Sequence, residues 1–298
     1  GSVSESKLQV SNSPTNGYVL SAQSAASGGL TWAADASGTI TAFTNGVDNR
    51  VVTATSATAL NGEAGLIFDG SKLGIGTSTM TRTLNVTDTT ASASTGIQLI
   101  GANDGTQFLN FGDTDDTNVG EINYDHSLDK MNFRTNDAYA MVIDSAGRVT
   151  KPLQPAFMSL NGGGTALANA TDVTITLDTE VFDIGSNISG NTFTAPITGK
   201  YYFSGSVVAD AGAGNNTRFE ESHIYINCSN RKLKFGEEQH YTNINDWWAM
   251  SVSGLIDMDA NDTCTLTYFG RRQSGSGTCV SVGSSTDFRT GLSGYLVA

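Results

Sequence analysis

FTAPITGKYY, Phe193 to Tyr202, holds a strand end, a turn and a strand start within ten residues. Phe193 is an apolar entry, and Pro196 fixes φ where no ladder donor is needed. Gly199 gives the turn a freedom that a Cβ would restrict. Tyr201, Tyr202 and Phe203 open the next strand with the residue types that pack well on a pleated surface. Downstream run a dozen short alternating segments, and no stretch keeps a helical period. The chain reads as all-β.

Composition agrees. Of 298 residues 34 are glycine, about 11% against a usual ~7%, with four prolines and only 15% charged residues. A 38% apolar share is too high for a disordered chain. The length allows about two domains. The formal charge of −13 argues against nucleic acid and against an anionic membrane as partners, and it keeps an assembly soluble. No window approaches the ~20 apolar residues of a span, so no membrane insertion is expected. No charged-then-apolar leader opens the chain, and Gly1-Ser2 reads as an expression scar. We therefore expect a fragment whose N-terminus is missing.

Outward from the opening stretch, Val181 to Phe203 reads VFDIGSNISGNTFTAPITGKYYF. An apolar-Asp approach, an Asn-x-Phe and an Ala-Pro-x-x-Gly-x-Tyr-x-Phe strand follow one another. The chain closes on GLSGYLV, Gly291 to Val297, and carries DANDTCTL at Asp259 to Leu266. These stretches resemble the complement-one-q-type globular head, a trimeric jelly roll related to tumour necrosis factor. Leu292 stands where that family has Phe, and Asn261 where it has Gly. The resemblance covers about residues 155–298 and implies a jelly-roll β-sandwich head.

Upstream, SPTNGYVL (Ser13–Leu20), GGLTW (Gly28–Trp32) and GIGTSTMTRTLNV (residues 74–86) resemble units of phage tail-fibre shafts. Leu66 to Ile75, LIFDGSKLGI, predicts a hairpin about Asp69-Gly70. From Ile97 to Val149, Ile97/Leu99, Leu109/Phe111, Ile122/Tyr124, Met131/Phe133 and Met141/Ile143 alternate at period two. Within it, Gly120 to Thr150 resembles the small knob that precedes distal modules in phage fibres. Pro152 and Pro155 mark a boundary. The expected order is expression scar 1–2, fibre shaft 3–60, shaft or hairpin repeat 61–96, β knob 97–151 and jelly-roll head 152–298. In the head we expect strands at Ala156–Leu160, Val173–Phe182, Thr192–Ala195, Lys200–Ala209, Ser222–Cys228, Trp247–Met258, Thr263–Phe269, Cys279–Ser281 and Gly291–Val297.

The upstream segments carry only two or three apolar residues each. One copy could not bury enough area to offset ordering its backbone, at about 1–2 kcal/mol per residue. Three chains about one axis would cover the strand edges and share a core, so a homotrimer is expected.

For chemistry, the sequence has no phosphate-binding loop, no Gly-x-Ser-x-Gly elbow and no His-Glu-x-x-His, and no enzyme is expected. Asp113, Asp115 and Asp116 in GDTDDTN are either a calcium loop or a solvated acidic turn; the Gly and distal Glu of an EF-hand are absent. No cofactor is expected, with calcium the one open case. Cys228, Cys264 and Cys279 are too few for a disulfide framework. Either Cys264 and Cys279 pair across GRRQSGSGT, or all three are buried thiols. His240, Tyr241, Asn243, Asn245, Asp246 and Trp247 bracket a polar loop, and aromatic faces beside Asn and Asp suit a saccharide. Trp248 shares parity with Met250, Val252 and Ile256 and reads as core, while Trp247 faces the other way, toward a ligand or a neighbouring copy. Arg271 and Arg272 are rare positive charges that would meet an acidic glycan or lie in a solvated turn. The expected function is a trimeric bacteriophage fibre that attaches to a host-cell receptor, a glycan, through its distal head. Its missing N-terminus would join other virion proteins. The alternatives are a secreted recognition protein of complement-one-q type and a ligand-free virion decoration.

Overall fold

The computed structural model describes the chain except residues 1–9, 14, 24, 26–27, 35–39, 41, 213–216, 230, 245–246 and 275–277. For residues 217 and 235–244 it describes the backbone alone. Every regular element among the described residues is a strand, so the chain is all-β. It divides into two compact units, Gly1–Leu99 and Ile100–Ala298.

In the first unit, β1 (Tyr18–Ala22) and β2 (Leu30–Ala34) form a hairpin that sets Leu20 opposite Trp32. A second sheet joins β3 (Ala42–Thr44), β4 (Arg50–Ser56), β5 (Ala59–Phe68), β6 (Leu73–Ile75) and β7 (Leu84–Val86). Residues 50–60, weakly patterned in the sequence, thus hold regular strand. The Asp69-Gly70 turn joins β5 to β6. The Asp69 carboxylate accepts the Ser71 and Lys72 N–H groups at 3.0 and 2.8 Å, and Gly70 takes φ +97°. Among the described residues of this unit, Ile67 is the only buried apolar side chain.

The second unit opens with a five-stranded meander: β8 (Thr106–Phe111), β9 (Gly120–Asp125), β10 (Lys130–Thr135), β11 (Ala138–Ile143) and β12 (Val149–Thr150). Ile97 and Leu99, expected on a strand, lie outside any, 72% and 57% exposed, because no neighbouring chain segment pairs with them. The register sets Leu109, Ile122, Phe133 and Met141 in one cross-strand row on one face. Glu121, Asn123, Asn132 and Arg134 lie on the other.

Thirteen strands follow: β13 (Ala156–Leu160), β14 (Ala166–Leu167), β15 (Val173–Thr174), β16 (Thr179–Ile184), β17 (Ile188–Ser189), β18 (Thr192–Thr194), β19 (Gly199–Asp210), β20 (Thr217–Cys228), β21 (Lys232–Ile244), β22 (Trp247–Met258), β23 (Thr263–Ser274), β24 (Cys279–Ser281) and β25 (Gly291–Leu296). Eight of them form the frame: β13, β18, β19, β20, β21, β22, β23 and β25. The first of these pairs with the last, β18 with β23, β19 with β22, and β20 with β21. One sheet then runs β16–β13–β25–β19–β22 and the other β18–β23–β20–β21. This nested pairing is the jelly roll.

Its core follows from alternation. On β19, Tyr201, Phe203, Val207 and Ala209 point inward and are fully buried. Phe193 stacks on Phe157 with centroids 4.8 Å apart and meets Tyr201 and Phe203 edge-on at 5.5 Å each. Each such ring contributes about 1.5–3 kcal/mol by burial, and each pair about 0.5–1.5 more. The Tyr201 hydroxyl donates to the Ile197 carbonyl at 2.8 Å, closing the turn of the opening stretch onto its own strand. Gly294 is opposite both Phe157 and Phe203, and a Cβ there would lie 2.6 Å from the Phe203 ring. That close approach gives the glycine of GLSGYLV its physical reason.

Three expectations for the head need correction. Val173–Phe182 is not one strand. At its middle, Thr176 N–H donates to Thr165 Oγ1 and Leu177 N–H to Asn191 Oδ1, so side chains replace the ladder between β15 and β16. Residues 232–244, read partly as loop, form the edge strand β21, whose register against β20 shifts three times. Its mixed charged and aromatic sequence hid the period. Finally, neither cysteine alternative holds. Cys228 and Cys264 face each other across β20 and β23, Cα atoms 4.1 Å apart, and form a disulfide; Cys279 is a buried free thiol.

Candidate functional site

One end of the head is tied to what precedes it. Leu296 N–H donates to the Pro155 carbonyl at 2.9 Å, and Gln154 Nε2 to the Leu296 carbonyl at 2.5 Å. β19 starts at this near end, where Lys200 N–H donates to the carbonyl of Ala298 at 2.7 Å. Twelve residues later it reaches Asp210, on the order of 40 Å away. There Asp210 is opposite both Trp247 and Val280. The connections β19–β20, β21–β22 and β23–β24 therefore converge at the far end. Side-chain bonds hold it: Ser281 Oγ donates to Asn161 Oδ1 at 2.7 Å, and Asn161 Nδ2 to the Thr176 carbonyl at 2.8 Å.

Trp247 begins β22 at this far end and is 52% exposed. The Arg289 guanidinium lies over its ring, 5.5 Å from the centroid, and also pairs with Asp287 at 2.9 Å. Arg289 and Asp287 come from the segment before β25, and no local sequence signal joins them to Trp247. Trp248 turns inward, buried against Phe219 at 4.9 Å, as its parity predicts.

Arg271 and Arg272 lie in strand β23, not in a loop, because β20 is long enough to pair with both. Arg271 pairs with Glu221 at 3.0 Å and Glu220 at 3.8 Å, so its charge is balanced from its own sheet. Arg272 donates to the Leu167 carbonyl at 2.9 Å, and its backbone N–H to Asn169 Oδ1 at 2.7 Å. Burial pushes the Cys279 thiol up, with Arg272 opposing, and pushes the buried Tyr268 hydroxyl up as well. His240, Tyr241 and Asn243 lie on β21, where the register sets His240 opposite Phe219 and so in one row with Arg272. Asn245 and Asp246 fall outside the described residues. The expected residues thus gather at one end of the sandwich but divide between its two sheets.

The Asp113 carboxylate accepts the N–H groups of Asp115 and Asp116, both at 2.9 Å, which holds its pKa below the usual carboxylate value. It closes a turn of its own. Among the described residues no three His, Cys, Asp or Glu side chains gather as metal ligands. Likewise no helix is long and apolar enough to cross a membrane.

The sheet β16–β13–β25–β19–β22 turns a second face away from the core. Its register lines up Leu255, Tyr202, Tyr295, Ala156 and Ile184, with Ser253, Ser204, Ser293, Met158 and Phe182 as the next row. Tyr202 and Tyr295 lie 5.6 Å apart, and Leu255, Tyr295 and Phe182 are 61%, 50% and 42% exposed. Trp247 belongs to this face by parity.

No protein-family model matches the chain, and no curated protein matches it. Solved structures similar to it include the globular domain of zebrafish complement 1qA protein, at 14% identity and TM-score 0.35, covering 49% of this chain and 98% of that one. Murine APRIL is similar at 12% identity and TM-score 0.32, over 48% of this chain and 99% of its own. The PRD1 vertex protein P5 is similar at 10% identity and TM-score 0.34, over 49% and 99%.

Proposed function

We propose that this chain is a non-enzymatic, trimeric bacteriophage fibre protein that attaches the virion to a glycan receptor on the host cell through the far end of its jelly-roll head. The observation that carries the reading is the apolar outward face of the head, with Leu255, Tyr202, Tyr295 and Phe182 uncovered on one sheet. A soluble chain does not leave such a face bare. The total surface supports the same conclusion. It is 17748 Å2, whereas two separate compact units of these lengths would expose roughly 14,000 Å2. The surplus exceeds the ~800 Å2 that a stable interface takes from each partner. Three heads on one axis would present three copies of Trp247 and of the loops beside it, so weak single contacts would add to a firm attachment. The fibre-type motifs upstream and the order of shaft, knob and head supply the virion setting. A bound calcium ion would belong to this assembly if it is present, and chelation tests that.

The Cys228–Cys264 disulfide favours one second reading, a secreted recognition protein, since such bonds persist in oxidising compartments. Two experiments decide. Light scattering should give about 93 kDa for three copies of a 31.1 kDa chain, with and without chelator; a monomer would overturn the trimer. Labelled protein should bind host bacteria and lose binding on glycan removal or on Trp247→Ala. Binding that survives both would overturn the glycan tip.

A further inference from the structure

The meander β8–β12 is a single sheet with one apolar face and nothing of its own chain as a second layer. Leu109, Ile122, Phe133 and Met141 form one row of that face, with Met131 and Ile143 in the next. None of these six is buried, and Leu109 and Ile122 are 56% and 37% exposed. The opposite face carries Glu121, Arg134, Asp125 and Lys130, and there the structure buries Asn123 and Asn132, joined by a 2.6 Å hydrogen bond from Asn132 Nδ2 to Asn123 Oδ1. A sheet with one apolar face needs a cover for it, and the charged face is the one suited to water.

We infer that this apolar face is a second, separate self-association surface, at which the sheets of further copies of this chain pack face to face around one axis with Met131 and Phe133 on the central strand nearest that axis. The inference rests on the self-association proposed above and goes beyond it by adding an interface outside the head. The occupant is the same chain for two reasons. The face carries no charge that would select a foreign partner, and the uncovered surface of the whole chain exceeds what the head face alone would take up. Sheets stacked face to face lie about 10 Å apart, so central side chains of neighbouring copies come within reach of a short cross-link.

The test uses the full chain with Met131→Cys and, separately, Lys130→Cys, neighbours on β10 that point to opposite faces. The wild type is the blank, because Cys279 is buried and Cys228 is bonded to Cys264. In a sample with the mass of three copies, a short bismaleimide should link about two-thirds of Met131→Cys chains into covalent pairs, one pair per three copies. Lys130→Cys should stay unlinked. Ile143→Cys, the register partner of Met131, guards against a local folding defect and should behave like Met131→Cys. Equal linking of both faces, or none at Met131 and Ile143 in a trimeric sample, overturns this inference and leaves the head interface standing. A monomeric wild type overturns both.

Discussion

The head and the sheet before it are built from similar strands and reach opposite solutions to burial. In the head, two sheets close on Phe157, Phe193, Tyr201 and Phe203, each 1% exposed or less. In the sheet β8–β12, the buried side chains among the described residues are two asparagines, and the apolar row lies open. The head therefore has an interior as one copy. The sheet acquires one only from other copies. Stability should be local to the chain in the first case and concentration-dependent in the second.

The largest test of that contrast is Phe203→Ala. Removing a fully buried ring from the head should cost about 3–5 kcal/mol, seen in denaturant unfolding as a loss independent of protein concentration. Phe133→Ala in the sheet should instead make the unfolding midpoint vary more steeply with concentration, and a matching fixed loss at all concentrations would erase the distinction. Next is the disulfide. Cys228→Ser with Cys264→Ser opens a loop of sequence separation 36 and should cost about 3–4 kcal/mol, confined to the head. Leu255→Lys comes third. It should leave the head folded by circular dichroism while lowering the mass measured by light scattering, and an unchanged mass would mean the head face is not used.

Acid supplies a smaller effect. Asp113 and Asp144 have lowered pKa values, held first by backbone N–H groups of Asp116 and Arg148. Their contribution is present above the ordinary carboxylate range and fades as pH falls through their lowered values. Hydrogen exchange at the two turns should quicken toward pH 3 while the Phe203 region stays protected; uniform quickening would count against local control. The smallest effect is Trp247→Ala, expected to change stability by no more than about 0.5 kcal/mol while weakening attachment to cells. A large stability loss would assign the indole to an interface instead.

The sequence carried the all-β class because Gly, Pro and alternation mark turns and strands locally. Ala195-Pro196 with Gly199, and the parity of Trp248 against Trp247, placed a core strand and its two faces from residue order alone. What escaped was set by long-range register. Cys228 meets Cys264 through the β20–β23 ladder, which no spacing rule foretells. Strand β21 escaped because charged residues at an edge obscure its period. Around the candidate site, Arg289 reaches Trp247 only because the fold returns there before β25, and Arg271 is balanced by glutamates that sequence distance conceals.

The junction at Pro155 also has a mechanical meaning. The chain enters the head at the near end of β13 and lies beside its own terminus, hydrogen-bonded to Leu296. A load between that entry and the far-end loops runs along the strands, so the ladders of β13 with β16 and β25 carry it together, in shear. Pulled from a tip that is held, the head should resist as a unit; tugged sideways at Pro155, β13 should peel one bond at a time.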